Sequence, residues 1–392
     1  VTKKMLTASK EAVDSLLDDI QYLWVAADDI PVYEAPPTAM QFLREHVAKS
    51  RPCIIRHALP TMSWNELQDI WPESLPLQVD VTPDGHGDCL RRVRTAAADG
   101  TTNTDSDNTH ERCFVKPMEC EMTMSEFCQA LETGQHSNGK GTRTATPIHE
   151  RIFERCSSND LPSISASSKP PFTQSVVYYS RQNDCLRTEL QPLWDKLPFP
   201  SSMEWAAQAF GVDDGPDAVN LWIGPKQAVS AMHKDPYENL FHVLHGTKIF
   251  TLVPPACAPL LRERPVPSGR FVWNKHDNSS SRNNNSSGDH GWQVQADTKD
   301  DGIPDTVQWI TVDVTQPQPT AENGTPSIPF RQVRVQAGEM LYLPSLWFHK
   351  VAQEGNDVTI GLNYWYDMKF ESPLWVYFHF LQQMQATEHA TA

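Results

Sequence analysis

The spacing of apolar residues changes once along the chain, close to residue 174. Before that point most apolar residues recur every three or four positions, which is the period of an amphipathic helix. The pattern predicts one strand and four helices in this half: the strand at Pro52–Arg56 and the helices at Leu6–Trp24, Ala39–Val47, Ser63–Ile70 and Thr123–Leu131.

After residue 174 the apolar runs are short, and Gly, Pro or Asn separates them, which is typical of an all-β sandwich or barrel. The runs with this pattern are residues 175–180, 218–224, 228–233, 239–246, 248–255, 333–338, 339–344, 347–352 and 358–366. Ser372-Pro373 then begins an apolar helix, Leu374–Met384. We therefore expect a mainly β protein with helices at its N-terminus and one helix at its C-terminus.

Four polar stretches interrupt these elements, at residues 96–111, 134–170, 274–289 and 316–329. Sequences so rich in Thr, Asp, Asn, Ser or Pro cannot bury enough apolar area to offset the entropy of ordering the chain. They lie between periodic segments, so we interpret them as loop insertions in one domain rather than as linkers between domains.

Composition and charge narrow the classes of function. The 392 residues are 39% hydrophobic and carry a formal net charge of −16. Nucleic-acid binding needs a basic face, so we expect no nucleic-acid partner and favour a basic protein or peptide. The eight cysteines form no C-x-x-C pair, the N-terminus is polar, and no apolar run approaches about 20 residues. We expect reduced cysteines, no leader peptide, no membrane span and a cytoplasmic location, with the nucleus as a second compartment.

The segment Ala231–Asp235 places His233 and Asp235 two residues apart. Residues i and i+2 of a strand point to the same face, so both side chains can meet at one point inside a barrel. His349 ends a later apolar run, and two imidazoles with one carboxylate form a facial triad that binds Fe(II) and leaves positions open. Two alternatives stay open here: a chance H-x-D, and a core histidine at 349 that donates to a backbone carbonyl.

Two longer segments resemble the JmjC oxygenases, a family of cupin-like hydroxylases. They are residues 217–255 (DAVNLWIGPKQAVSAMHKDPYENLFHVLHGTKIFTLVPP) and residues 337–367 (AGEMLYLPSLWFHKVAQEGNDVTIGLNYWYD), with shorter matches at PPT, RPCIIR and VTPDG. The resemblance implies a double-stranded β-helix (jelly-roll or cupin) core at residues 171–370. It also implies an N-terminal α/β region with polar insertions at residues 1–170, and a C-terminal helix and tail at residues 371–392.

The same resemblance implies Fe(II), 2-oxoglutarate and O2 as cofactor and co-substrates, with His233, Asp235 and His349 as the catalytic metal ligands. The residues that it implies for the 2-oxoglutarate pocket are Lys248, Ser230, Tyr178, Asn239 and Asn363. A lysine buried beside Ile249 and Phe250 needs an anion, which the distal carboxylate of 2-oxoglutarate supplies. The alternatives are a surface lysine and polar core residues that bond within the chain.

Within the family the chain is most similar to small lysyl hydroxylases that act on GTP-binding proteins, which implies a protein substrate with a target lysine. An N-methyl-lysine demethylase, a hydroxylase of another residue and an RNA-base hydroxylase are alternatives in the same class, and the acidic charge disfavours the last. A metal-free cupin that only binds partners is the alternative from another class.

Two further expectations concern partners. A lysine ammonium close to a metal needs a carboxylate, and Asp84 of VTPDG is the first candidate, with Asp80 as the second. Asp84 in a plain Pro-Asp-Gly turn is the alternative. The apolar C-terminal helix predicts either a homodimer interface or a contact with the chain's own barrel, and the sequence leaves both open.

Overall fold

The computed structural model describes residues 10–22, 30–95, 110–136, 151–152, 175–274, 291–300, 302–315, 328–355 and 357–388. The α-helices of this part are Lys10–Ile20 (α1), Ala39–Phe42 (α2), Trp64–Ile70 (α3), Met124–His136 (α4), Gln191–Trp194 (α5), Glu204–Phe210 (α6) and Pro373–Glu388 (α7). A π-helical turn, Leu43–Val47, continues α2, and a 3-10 helix spans Pro255–Leu260. All of the predicted helices are confirmed within the described residues.

The strands are Val32–Tyr33 (β1), Cys53–Arg56 (β2), Leu77–Thr82 (β3), His86–Gly87 (β4), Cys89–Thr95 (β5), His110–Lys116 (β6), Met118–Met122 (β7), Arg151–Ile152 (β8), Val176–Tyr178 (β9), Ala218–Gly224 (β10), Val229–His233 (β11), Tyr237–His245 (β12), Thr247–Val253 (β13), Glu263–Asn274 (β14), Gly291–Ala296 (β15), Thr306–Ile310 (β16), Arg331–Gln336 (β17), Glu339–Leu343 (β18), Phe348–Glu354 (β19) and Thr359–Asp367 (β20). Every strand that the apolar runs predict is among them.

Two sheets form the jelly-roll core that the pattern predicts. The first has the strand order β1-β2-β18-β12-β20-β10 and the second β17-β13-β19-β11-β4. Their inner faces contact each other, because Phe241 of β12 meets Phe250 of β13 with ring centroids 5.2 Å apart. The central strand β20 is buried on both faces over most of its length, which explains its nearly continuous apolar sequence.

Strands from before residue 171 complete both sheets: β1 and β2 extend the first, and β4 extends the second. Capping boxes start two of the supporting helices. Ser63 and Glu66 exchange side-chain and backbone hydrogen bonds at α3, and Thr123 and Glu126 do so at α4. The N-terminal region therefore takes part in the core, and the proposed boundary at residue 171 stays a prediction.

Two further sheets lie outside the core, with the orders β15-β14-β6-β5-β8 and β7-β3-β9, and β16 pairs with β14. The part of the chain before residue 174 therefore contains strands β3 to β8 in addition to its helices, whereas the apolar spacing predicted only one strand there. The stretches 96–111, 134–170 and 274–289 were also predicted to be loop. This is wrong at residues 110–111 of β6, at the end of α4, at β8, which pairs with β5, and at residue 274 of β14. Most of the other polar residues, 96–109, 137–150, 153–174, 275–290 and 316–327, lie outside the described residues.

Helix α7 packs onto the barrel through one side. Phe378 is buried and lies 5.9 Å from Phe348, measured between ring centroids. Val376, Tyr377 and Phe380 of the same helix are exposed. Contact with the chain's own barrel is thus present, and the homodimer stays a prediction for the exposed side. No helix in the described part of the chain has the length and apolarity needed to cross a membrane.

Candidate metal centre and co-substrate pocket

His233, Asp235 and His349 converge at the inner face of the second sheet. His233 ends β11 and is the register partner of His349 on β19. The Nε2 atoms of both histidines lie 3.7 Å from Oδ2 of Asp235. One ligand atom from each residue lies within 4.8 Å of the others. A metal bonded to all three at about 2 Å needs ligand atoms within about 4 Å of one another, so this set fits with small adjustments.

The imidazoles are oriented for metal binding by their other nitrogen atoms. Nδ1 of His233 lies 2.7 Å from the carbonyl oxygen of Ala231, and Nδ1 of His349 lies 3.0 Å from that of Trp347. A proton on each Nδ1 leaves Nε2 free to act as a ligand. Burial, together with the nearby His233, lowers the pKa of His349 to about 4. His349 is therefore neutral at physiological pH, as a metal ligand must be. The hydrogen bond between Nδ1 of His349 and the carbonyl oxygen of Trp347 is also expected of a core histidine. This bond therefore fits both a metal ligand and a core histidine.

Local contacts hold the two halves of the triad together. Leu346 has a positive φ of 66°, and its N–H donates to the carbonyl oxygen of Asp235 at 2.9 Å. A bulky residue in the left-handed region is strained, so the surrounding contacts must maintain it. On the outer side, Lys234 pairs with Glu263 at 2.8 Å. The chain thus fixes the loop before His349 against the loop that contains Asp235.

Lys248 lies at the other end of the barrel interior and is only 6% exposed. Its Nζ lies 5.6 Å from the ring centroid of Phe241. Gly361 makes room for the side chain, because a Cβ on Gly361 would lie 3.1 Å from Cε of Lys248 and 2.6 Å from the Phe241 ring. Lys248 has no ion pair among the described residues, and burial lowers its pKa to about 8. A buried cation of this kind fits a bound anion.

Ser230 and Tyr178 both adjoin Gly87. Ser230 on β11 pairs in register with Gly87. A Cβ on Gly87 would lie 2.1 Å from the Tyr178 hydroxyl, so the phenol rests directly against this glycine. Burial raises the pKa of Tyr178 well above its usual value, and the charges of Asp80 and Asp88 raise it further, so the phenol stays a hydrogen-bond donor. The Ser230 and Tyr178 hydroxyls therefore adjoin the same glycine.

The sequence reasoning missed Gln353. It is the register partner of Lys248, its Nε2 donates to the carbonyl oxygen of Ala228 at 3.1 Å, and its buried Oε1 has no partner among the described residues. One signal was present in the sequence: Gln353 follows His349 by four positions on one strand, so both face the interior.

Asn239 on β12 and Asn363 on β20 are both buried, on strands that pair with each other. Nδ2 of Asn363 donates to Oδ1 of Asn239 at 3.5 Å, and the indole N–H of Trp222 donates to Oδ1 of Asn363 at 2.9 Å. The two amides thus bond within the chain, as the alternative for each expected.

The carboxylates expected to receive a substrate ammonium already have partners. Asp84 pairs with Arg91 at 2.6 Å and accepts the N–H of His86 at 3.1 Å. Burial raises the pKa of Asp84, but these hydrogen bonds outweigh it and hold the pKa well below its usual value. Asp80 is buried, accepts the hydroxyl of Ser180, and has a pKa that burial raises to about 7. Asp84 therefore fits its alternative role as a turn residue.

Comparisons with known proteins agree with this geometry. Residues 39–372 match the cupin-like domain family. The chain is 33% identical to JmjC domain-containing protein E of Dictyostelium discoideum, over 88% of this chain and 86% of that protein. It is 30% identical to the Arabidopsis thaliana lysine-specific demethylase JMJ32, over 93% of this chain and 91% of that protein. It is 29% identical to the human bifunctional peptidase and (3S)-lysyl hydroxylase JMJD7, over 87% of this chain and 85% of that protein.

The chain therefore belongs to the cupin-like domain family, and within that family to the JmjC proteins. It is an enzyme of the 2-oxoglutarate-dependent oxygenase class. JmjC oxygenases use Fe(II) and 2-oxoglutarate, and the His-Asp-His set and the buried lysine are the residues that fit those two groups.

Proposed function

We propose that this chain is an Fe(II)- and 2-oxoglutarate-dependent protein hydroxylase whose target is a lysine of a protein substrate. The observation that carries the proposal is the placement of two sites in one barrel. Gln353, opposite Lys248, lies four positions along β19 from His349. Four residues of strand span on the order of 13 Å. The Lys248 side chain and one dicarboxylate would together suit this span.

His233, Asp235 and His349 would hold Fe(II) on one side and leave the other side open. The Lys248 ammonium would bind the distal carboxylate of 2-oxoglutarate, and the hydroxyls of Ser230 and Tyr178 would donate to it. When bound, iron and 2-oxoglutarate supply the oxidation of a C–H bond by O2, with release of succinate and CO2.

Asn239 and Asn363 would line the space between the metal and the distal carboxylate of 2-oxoglutarate. Asn363 is held by Trp222, so its amide is fixed in one orientation. Phe241, Phe250 and their neighbours form an apolar cluster beside the pocket, which would keep water away from the reacting atoms.

Among the alternatives within the class, an N-methyl-lysine demethylase is the main competitor of the hydroxylase proposal. The similarity to lysine-specific demethylase JMJ32 favours the competitor, and the similarity to the lysyl hydroxylase JMJD7 favours the hydroxylase, at nearly equal identity. We choose the hydroxylase, with a GTP-binding protein as the first substrate to test. A metal-free binding protein is the proposal from another class, and the convergence of three metal-ligating side chains argues against it.

Mass spectrometry tests the proposal directly. The protein is incubated with Fe(II), 2-oxoglutarate and a basic GTP-binding protein, and in parallel with trimethyl-lysine peptides. We expect one added oxygen atom on a lysine of the unmethylated substrate, and no addition with Asp235→Ala. Loss of a methyl group with release of formaldehyde would instead identify a demethylase. Consumption of 2-oxoglutarate without any modified lysine would reject the lysine assignment and leave the oxygenase class intact.

A further inference from the structure

The open end of the barrel contains a stacked aromatic pair. Tyr237, the first residue of β12, lies over Trp365 of β20 with ring centroids 4.7 Å apart and ring planes 2° from parallel. Trp365 follows Asn363 by two positions on β20, so both side chains lie on the same, interior face of the sheet. Asp235 precedes Tyr237 by only two residues. The pair therefore lies next to the metal-ligand set, on the side away from Lys248.

Two exposed carboxylates flank this pair. Asp367 is the register partner of Tyr237, and its N–H donates to Oδ2 of Asp217 at 2.7 Å. Both aspartates are exposed, and neither forms an ion pair within the described part of the chain. Arg187 reaches the backbone carbonyl of Asp217 at 2.8 Å, but its guanidinium pairs with Asp184. The two like charges therefore lie side by side without a cation between them.

One further observation indicates a ligand here. The indole N–H of Trp365 is buried, with the residue 5% exposed, and has no acceptor among the described residues. Buried donors are nearly always paired in proteins, so an acceptor from a bound molecule fits this position.

We propose that Asp217, Asp367, Tyr237 and Trp365 bind a basic side chain of the protein substrate that flanks the target lysine. The carboxylates pair with its ammonium or guanidinium, the Tyr237 ring covers its apolar stem, and the Trp365 N–H donates to a peptide carbonyl. A metal ion fits less well, because the aromatic pair offers it no ligand. The inference rests on the proposed function of the metal centre, and the net charge of −16 favours the same kind of partner.

Peptide binding without iron tests the inference separately from catalysis. The probe is a fluorescein-labelled peptide with a central lysine flanked by arginines, and its affinity is measured by fluorescence anisotropy. We expect the double variant Asp217→Asn, Asp367→Asn to bind about tenfold more weakly or worse, because two charge pairs are lost. Asparagine at both positions keeps the shape, and its side-chain oxygen at position 217 can still accept the backbone N–H of position 367.

The matched control is the double variant Asp69→Asn, Glu73→Gln, which changes the net charge equally at exposed positions distant in sequence from the barrel mouth. It should bind the peptide as the wild type does. The wild type is also tested with glutamine in place of the flanking arginines, which needs no altered protein. The wild type should bind the glutamine peptide as weakly as the Asp217→Asn, Asp367→Asn variant binds the arginine peptide. Equal affinity of the wild type for both peptides, or unchanged affinity of that double variant for the arginine peptide, overturns the inference.

Discussion

The two ends of the barrel interior carry charges of opposite sign in opposite environments. At the closed end Lys248 is a buried cation that has no anionic partner among the described residues and lies against the Phe241 ring. At the open end Asp217 and Asp367 are exposed carboxylates that form no ion pair within the part of the chain that the structure describes. A buried charge depends on one ligand of matching size, whereas exposed charges attract many ligands weakly. The closed end therefore suits a fixed co-substrate, and the open end suits the selection of a protein.

The largest effect is expected between the two ends, at the metal ligands. Asp235→Ala removes one of three protein bonds to iron and leaves the rest of the barrel in place. We expect loss of Fe(II) affinity in calorimetry and loss of 2-oxoglutarate turnover, with a melting temperature close to that of the wild type. The matched control is Asp357→Ala, which removes the aspartate of another His-Asp pair, His245–Asp357, at the surface. Full turnover in Asp235→Ala would reject the triad.

At the closed end, Lys248→Ala should weaken 2-oxoglutarate binding without affecting iron. Loss of a charge-assisted bond to a buried anion costs about 1.5–3 kcal/mol, which is roughly tenfold to a few hundredfold in affinity. The 2-oxoglutarate Michaelis constant measures this change. Arg334→Ala is the control, because Arg334 lies on the neighbouring strand β17 and its side chain is exposed. An unchanged constant in Lys248→Ala would place the anchor elsewhere.

The metal ligands and Lys248 could be predicted from the sequence in two different ways. The spacing of two positions indicated His233 and Asp235, whereas Lys248 followed from the resemblance to the JmjC oxygenases. The barrel strands were recognisable because they are nearly continuous apolar runs between Gly, Pro and Asn. The outer sheet was missed because β14 contains Pro265 and Pro267, and β5 and β6 are rich in charged residues.

The open end could not be predicted in the same way. Asp217 and Asp367 are 150 positions apart, and only the register of β10, β20 and β12 brings them together with Tyr237. Asp84 lies in a recognisable motif and was the sequence candidate for pairing with the ammonium of the target lysine, yet Arg91 already pairs with it. A carboxylate's availability depends on its neighbours in the fold, which local sequence does not reveal.

The pH dependence of 2-oxoglutarate binding tests whether the closed end contains a buried, titrating lysine. Burial lowers its pKa from 10.5 to about 8, so the ligand-free protein loses this proton as pH rises through about 8. Only the protonated form pairs with a carboxylate, so 2-oxoglutarate affinity should fall by up to about tenfold per pH unit above that pKa. Calorimetric titrations between pH 7 and pH 9.5 measure this, and Lys248→Ala should show no such dependence.

The same pKa difference has a consequence for stability. Between pH 8 and pH 10.5 the unfolded chain binds more protons at Lys248 than the folded chain does. The free energy of unfolding of the ligand-free wild type should therefore rise with pH across this window, relative to Lys248→Met. Thermal melting of both proteins at matched pH checks the sign, and a wild type that weakens relative to the variant would contradict a buried, unpaired cation.

The smallest effect is expected from salt, and it separates the two ends. Exposed charges are screened within about 8 Å at physiological ionic strength, and buried ones much less. Raising the salt concentration should weaken binding of the arginine-flanked peptide several-fold and change 2-oxoglutarate affinity by less than about twofold. Equal salt dependence of the two ligands would show that the two ends do not differ in exposure as described.

An anaerobic titration tests the central claim most directly, namely that one barrel binds Fe(II) at His233, Asp235 and His349 and 2-oxoglutarate at Lys248. Adding 2-oxoglutarate to the Fe(II)-loaded wild type should produce the weak visible charge-transfer band of a co-substrate chelated to iron. The band should be absent in Asp235→Ala, and in Lys248→Ala it should need about tenfold more 2-oxoglutarate or higher. A wild type without the band, or a band of equal strength and midpoint in all three proteins, would contradict the account.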